Sequence, residues 1–267
     1  MVAGNGAWRA SAAYLYVLPL DGPSLAWEYM RRNPDYRRDW ARYSHGRESI
    51  AKRWQLESLE DPSMDARVVQ PLWRPESNLL VHLTTDAGND AGEAARFSLW
   101  AIAGRKTLVH DGRRLVLFVF TADRVLRIAI AANLSDGDTF AYVVPAGATT
   151  QDRWNAVGAV RAVLEGLPTP KTSTVSIRPD RVALAHMRSL QALDGVLAGA
   201  SQREIASVVF GPSRVHESWC ADGGLRAQTR HLIRRGRAFM NGGYARLVTG
   251  AARRGTDRGA LSDGRRR

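Results

Sequence analysis

Apolar positions recur at two different periods along the chain, and the change between them divides the sequence. The stretch Ala10–Leu20 is apolar and short, and reads as a packing helix. Residues 24–43 read as helix, turn, helix. Ser24 can cap the first, Ala26, Trp27, Tyr29 and Met30 give its apolar side, and Arg31 and Arg32 lie near its end. Asn33-Pro34 breaks it, because the residue before proline disfavours the α region. Asp35–Trp40 restarts the helix. Glu48–Leu59 is a further helix around Ile50, Trp54 and Leu56, ended by Asp61-Pro62.

The middle of the chain changes to short runs of Val, Ile, Leu and Phe: Leu79–Leu83, Phe97–Ile102, Lys106–His110, Arg113–Phe120, Val125–Ala131 and Phe140–Val144. Turn residues separate them, at Asp86-Ala87-Gly88, Gly104, Asp111-Gly112 and Asp136-Gly137-Asp138. Asp-Gly suits the type I′ turn of a hairpin. The expectation is an antiparallel sheet of five or six strands. Gln151–Leu167 returns to helical spacing, with Trp154, Val157, Val160 and Leu164 on one stripe. Residues 168–180 carry Pro and Thr without periodicity and read as a linker.

Helical spacing then resumes. Asp180 can cap a helix running to about Ala198, with Ala183, Met187, Leu190, Leu193 and Leu197 on one stripe. Ser201-Gln202-Arg203-Glu204 is a capping box that opens the next helix, which Gly211-Pro212 stops. This helix has the look of the first helix of a helix-turn-helix, although an ordinary bundle helix shares the pattern. Ser213–Trp219 is a short helix, and Leu225–Met240 a long one closed by Asn241-Gly242-Gly243.

Charge sharpens the picture. The chain has 267 residues, 38 basic against 26 acidic, for a net charge of +12. Residues 181–267 hold 16 arginines against 6 acids, a net of +10, and no lysine. Arginine's planar fork suits phosphate and guanine edges. On the long helix, Arg226, Arg230, Arg234 and Arg237 fall at i, i+4, i+8 and i+11, in one row with no acid among them. Like charges so spaced repel, and duplex DNA would relieve the repulsion. The competing readings are a solvated basic face and a helix laid on an acidic protein surface. With Arg235 beside them, these arginines form the candidate DNA-binding set. Ser201, Gln202 and Arg203 add phosphate-binding candidates at the start of the capped helix.

Other chemistry is sparse. Eight Trp, seven Tyr and six Phe supply core material and exclude wholesale disorder. One cysteine, Cys220, excludes a disulfide scaffold. His216 and Cys220 lie four apart, an incomplete metal site. No Walker, Rossmann, zinc-protease or Gly-x-Ser-x-Gly motif is present. No catalytic residue, cofactor or metal is therefore expected, and no apolar run reaches membrane-spanning length.

Several of these residues also carry a resemblance. Leu193–Leu197, Ala200–Ala206, Phe210-Gly211, Trp219, Leu225, Arg230–Arg235 and Gly242–Tyr244 resemble the family long called DUF2285, the DNA-binding domain of RovC-type transcription factors. Ala26–Arg38, Trp54, Asp61-Pro62 and Trp73-Arg74-Pro75 resemble the transcriptional regulator-like domain (DUF6499) often placed ahead of it. The resemblance implies a bacterial transcriptional regulator, of a kind that activates type VI secretion genes or controls excision of mobile elements. The combined expectation is an α+β chain: a helical regulator-like domain at 1–75, a mainly antiparallel sheet with a closing helix at 76–167, a linker at 168–180, a helix-turn-helix-like DNA-binding domain at 181–250 and a basic tail at 251–267. Its expected partners are double-stranded DNA, further copies of itself through residues 1–167, and RNA polymerase. Its expected place is the cytoplasm, on the nucleoid, with no membrane contact. The rival functions are an antiactivator whose basic helix docks an acidic protein, and an accessory factor in DNA recombination or excision.

Overall fold

Asp21 starts the first α-helix. Its side chain accepts a hydrogen bond from the Ser24 backbone amide at 3.0 Å, and Pro23 sits in the first turn. Ser24, expected as the cap, is instead buried one turn inside and donates to Gln70 Oε1 at 3.2 Å. The computed structural model describes residues 6–43, 48–74, 80–86, 95–110, 114–121, 125–144, 150–167, 180–220 and 223–249. The turns at Ala87-Gly88 and Asp111-Gly112, the linker 168–179 and the tail 251–267 lie outside them.

The N-terminal part is helical. Two 3₁₀ turns, Ala7–Arg9 and Ser11–Val17, replace the single packing helix expected there. They lead to α1, Gly22–Met30, whose residues are buried from Pro23 to Met30. Asn33 then accepts from the amides of Asp35 and Tyr36 at 2.8 and 3.3 Å and so starts α2, Pro34–Tyr43. The third helix, α3, covers only Glu48–Arg53, because Gln55 takes a left-handed φ of 59°. Trp27, Tyr36 and Trp54 meet edge to face, with centroids 5.6 and 5.3 Å apart, and form the centre of this part.

The chain forms two units. One comprises residues 72–175 and the other joins 1–71 to 176–267. The first contains β1 Leu80–Thr85, β2 Arg105–His110, β3 Leu115–Phe120, β4 Val125–Ile130, β5 Phe140–Val143 and α4 Thr150–Leu164. Strand order is β2-β3-β4-β1-β5. All pairs are antiparallel except β1 with β4, so the mainly antiparallel sheet expected from the sequence contains one parallel contact. Hairpin turns fix the direction only of strands adjacent in sequence. Here β1 inserts between β4 and β5, which a pattern of apolar runs does not reveal. Phe97–Ile102 is not a strand. Its backbone bonds to the 135–138 turn instead, with Phe97 N donating to Asp138 O at 2.8 Å and Leu99 N to Asp136 Oδ1 at 2.7 Å. Phe97 and Ile102 cap the core formed by the sheet and Val157 and Val160 of α4. Trp154, expected on the same stripe, is 55% exposed.

The second unit adds α5 Arg181–Leu197, α6 Gln202–Phe210, α7 Pro212–Ser218, α8 Gly224–Ala238, a wide turn at Phe239–Gly243 and α9 Ala245–Val248. Residues 1–75 and 181–250 read as separate domains in the sequence, but residues 1–71 and 176–267 form one unit, with 72–75 in the other. Trp8 joins the core of Ala192, Ile205, Leu232 and Ile233. Gln191 Nε2 donates to the Trp8 carbonyl at 3.1 Å, and Asn33 Nδ2 to that of Met240 at 3.1 Å. At Gly22 a side chain would run into the Leu247 carbonyl.

Candidate nucleic-acid interface

The basic surface is carried by α6, α7 and α8, and α5 holds them in place. Helix α8 crosses α5 closely because Gly236 has no side chain: a Cβ there would lie 2.8 Å from the Ser189 carbonyl oxygen. Gly195 permits the same approach to Ile205 and Trp8. Leu225, Thr229, Leu232, Ile233 and Gly236 are the buried face of α8. Thr229 satisfies its hydroxyl on the Leu225 carbonyl at 2.8 Å. Ala206, Val215 and Leu225 form a small core that seats α6, α7 and the start of α8 together. Gly211, at φ 97°, turns the chain between α6 and α7.

The capping box at the start of α6 is present. Ser201 Oγ accepts from Glu204 N at 3.3 Å, and Glu204 Oε2 accepts from Ser201 N at 2.9 Å. Ser201 Oγ also donates to Glu204 Oε2 at 2.9 Å, so this hydroxyl serves the cap. The backbone and side-chain hydrogen bonds from Ser201, and that from Arg9, hold the Glu204 carboxyl below its ordinary range. Arg9 pairs with Glu204 at 3.2 Å, which offsets the one acid in this turn. Gln202 and Arg203 are exposed beside it.

On α8, Arg230, Arg234 and Arg237 are exposed and Arg226 is half-buried. At about 100° per residue the four span roughly 80° of the helix surface, so one continuous row results. Among the described residues, Arg230, Arg234 and Arg237 make no ion pair. Arg235 belongs elsewhere. It is half-buried, its Nη2 lies 3.1 Å from His186 Nε2, and its guanidinium sits 5.5 Å from the Phe239 ring centroid. It ties α8 to α5 rather than joining the row.

The polar network that locks this surface to the N-terminal helices was not visible in the sequence. Glu28 is fully buried. It accepts from Ala66 N and Tyr16 Oη at 2.8 Å, Arg31 Nε at 2.8 Å and Arg32 Nη1 at 2.6 Å. Arg32 then forks onto Asp194 of α5, at 2.7 and 2.9 Å. Tyr14 Oη donates to the same carboxylate at 2.6 Å. Burial is the largest single effect and works to raise both carboxyls, but Arg32 and Arg31 together with the hydrogen bonds from Ala66 N to Glu28 and from Tyr14 to Asp194 hold both below the ordinary carboxylate range. Among the described residues, no group of three or more His, Cys, Asp or Glu is placed to hold a metal ion, and no helix is long and apolar enough to cross a membrane.

With this geometry in place, family models identify the class. Residues 7–58 match a proteobacterial transcriptional regulator-like domain, and residues 143–249 match a transcription factor DNA-binding domain. The chain is thus a transcriptional regulator with a DNA-binding domain. The C-terminal match is in particular to the RovC DNA-binding domain, described for a type VI secretion transcription factor, in agreement with the resemblance carried by the sequence motifs. Residues 78–126, which include β1 to β3, match a domain of unknown function, DUF7011. No curated protein matches the chain.

Proposed function

We propose that the chain binds duplex DNA sequence-specifically through α6, α7 and α8 and activates transcription from promoters of secretion-system or mobile-element genes, on the nucleoid and in contact with RNA polymerase. The observation that carries the DNA contact is the arginine row of α8. Three exposed guanidiniums without an acidic partner among the described residues raise the free energy of the isolated protein, and a line of phosphates removes that cost. Gln202 and Arg203, at the start of α6, supply further phosphate contacts through amide and guanidinium. Arg230→Ala/Arg234→Ala should weaken duplex binding by well over tenfold at 150 mM salt and flatten the salt slope by about two. A mobility-shift series across salt concentrations measures both. Unchanged affinity and slope overturn the assignment.

Self-assembly through residues 1–167 belongs to the same proposal. The 3₁₀ turns and α1 pack on α5 and on residues 239–248, and the assembly surface is assigned to the sheet unit. There Trp100 and Trp154 are 79% and 55% exposed. Trp100→Ala/Trp154→Ala should shift sedimentation toward the monomer. A wild-type chain that sediments as a monomer at micromolar concentration removes this part of the proposal.

A further inference from the structure

Two helices of the interface differ in a way that separates their roles. The arginine row of α8 sits on its flank. Ile233, on the buried face, lies only about 20° around the helix from Arg226, at 100° per residue. Arg226 is accordingly half-buried. The row is about 16 Å long from Arg226 to Arg237 at 1.5 Å per residue. Along the duplex axis one strand presents about five phosphates over that length. All four side chains are donors of one kind.

Helix α7 is the opposite case. Six of its seven residues are exposed and only Val215 is buried. Ser213 and Glu217 face directly away from Val215, with Arg214 and His216 on either side. Like any helix, α7 is about 10–12 Å across with its side chains, which a major groove about 12 Å wide admits. Its outer residues mix donors with acceptors, which base edges require: a guanidinium fits guanine O6 and N7, and a carboxylate accepts from cytosine N4. Glu217 is informative because a carboxylate facing phosphates is repelled, whereas one facing a cytosine amino group is not. The turn at Gly211 holds α7 against α6, whose capped end presents Gln202 and Arg203 as a helix crossing the backbone would.

We infer that α7 reads base edges in the major groove through Arg214, His216 and Glu217, while the arginine row of α8 tracks the phosphate backbone and carries no sequence information. The inference rests on the DNA-binding reading above and assigns specificity within it. The guanidinium carbon of Arg214 lies 5.9 Å from the Phe210 ring centroid, so the fork rests beside α6.

Selection from a pool of random duplexes with the full chain defines its preferred site. Affinity for that site and for an unrelated duplex is then measured for Arg214→Lys, His216→Ala, Glu217→Gln and Arg230→Ala. Arg214→Lys keeps the charge and loses the fork, so it should lose roughly five- to a hundredfold of preference at one base pair, with non-specific affinity within about twofold. Glu217→Gln should change the selected base. Arg230→Ala should weaken both duplexes alike and reduce the salt slope by about one. All four positions are exposed, so thermal melting checks that the fold is retained. If the α7 variants select the wild-type site with undiminished preference, or Glu217→Gln only tightens every duplex equally, α7 does not read bases. A changed site preference in Arg230→Ala also overturns the division of roles. Each of these results leaves DNA binding intact, whereas a wild-type chain that binds no duplex overturns the functional proposal itself.

Discussion

Arg32→Ala is expected to destabilise the helical unit by about 3–5 kcal/mol, the usual cost of removing one partner from a buried ion pair. Arg32, two residues past the end of α1, is 9% exposed and joins two carboxylates: Glu28 of α1 at 2.6 Å and Asp194 of α5 at 2.7 Å. Removing the guanidinium leaves Asp194 with the Tyr14 hydroxyl and Glu28 with Arg31, Tyr16 and the Ala66 amide. Two buried negative charges then share too little positive charge. Urea unfolding followed by tryptophan fluorescence measures the loss, with Arg38→Ala as the control. Arg38 pairs with Asp35 where both are more than half exposed, so its loss should cost under about 1 kcal/mol. Arg32→Ala/Asp194→Ala should cost less than the sum of the single changes, because the second removes the charge stranded by the first. If Arg32→Ala costs no more than Arg38→Ala, the network does not hold α1 to α5.

The network shows why much of the fold was legible in the sequence and this part was not. Glu28 and Arg32 stand at i, i+4, a spacing that ordinarily marks a solvated surface pair. Only the approach of Asp194, 162 positions away, makes it a buried clamp. Local signals fared better. The capping box at Ser201–Glu204, the Asp180 cap, the stop at Gly211 and the end of α8 near Gly242, at φ 112°, follow from single-turn chemistry and stand where the sequence puts them. The candidate arginines divide by the same logic. Arg230, Arg234 and Arg237 follow the helical period outward, whereas Arg235 is one residue and about 100° further round and turns toward α5. Periodicity separates it from the row, but its partner His186 lies in another helix and carries no signature. The sheet was legible as strands and not as an order, since the parallel contact of β1 with β4 depends on chain reversal between elements far apart.

Stability of the same unit should fall as the pH drops from about 6.5 toward 4, and His186 is the cause. It is 3% exposed on α5. Arg235 can only donate, so Nε2 of His186 accepts, the ring proton sits on Nδ1, and Nδ1 donates to Tyr29 Oη at 3.0 Å. A second ring proton would have to point at the Arg235 guanidinium. Burial, helped by that guanidinium, pushes the His186 pKa down from 6.5 to about 4. Between those values the unfolded chain binds a proton that the folded chain refuses, so unfolding becomes easier with each step down in pH. The loss is fully in place only near pH 4 and amounts to something on the order of 3 kcal/mol. Glu28 and Asp194 have depressed values too, so their contribution is retained through this window and is lost only as the pH falls below the ordinary carboxylate range. His186→Gln keeps an acceptor for Arg235 and cannot titrate. Urea midpoints of the wild type should fall steadily between pH 7 and pH 5, and those of His186→Gln should stay nearly level. Parallel declines in the two proteins would show that His186 is not the titrating group. Arg235 and Phe239 pack on His186 at the end of α8, and the folded chain keeps that imidazole neutral until about pH 4, so the arginine row holds its position while the stability falls. DNA affinity of the folded wild type should therefore match that of His186→Gln between pH 7 and pH 5, although their urea midpoints diverge.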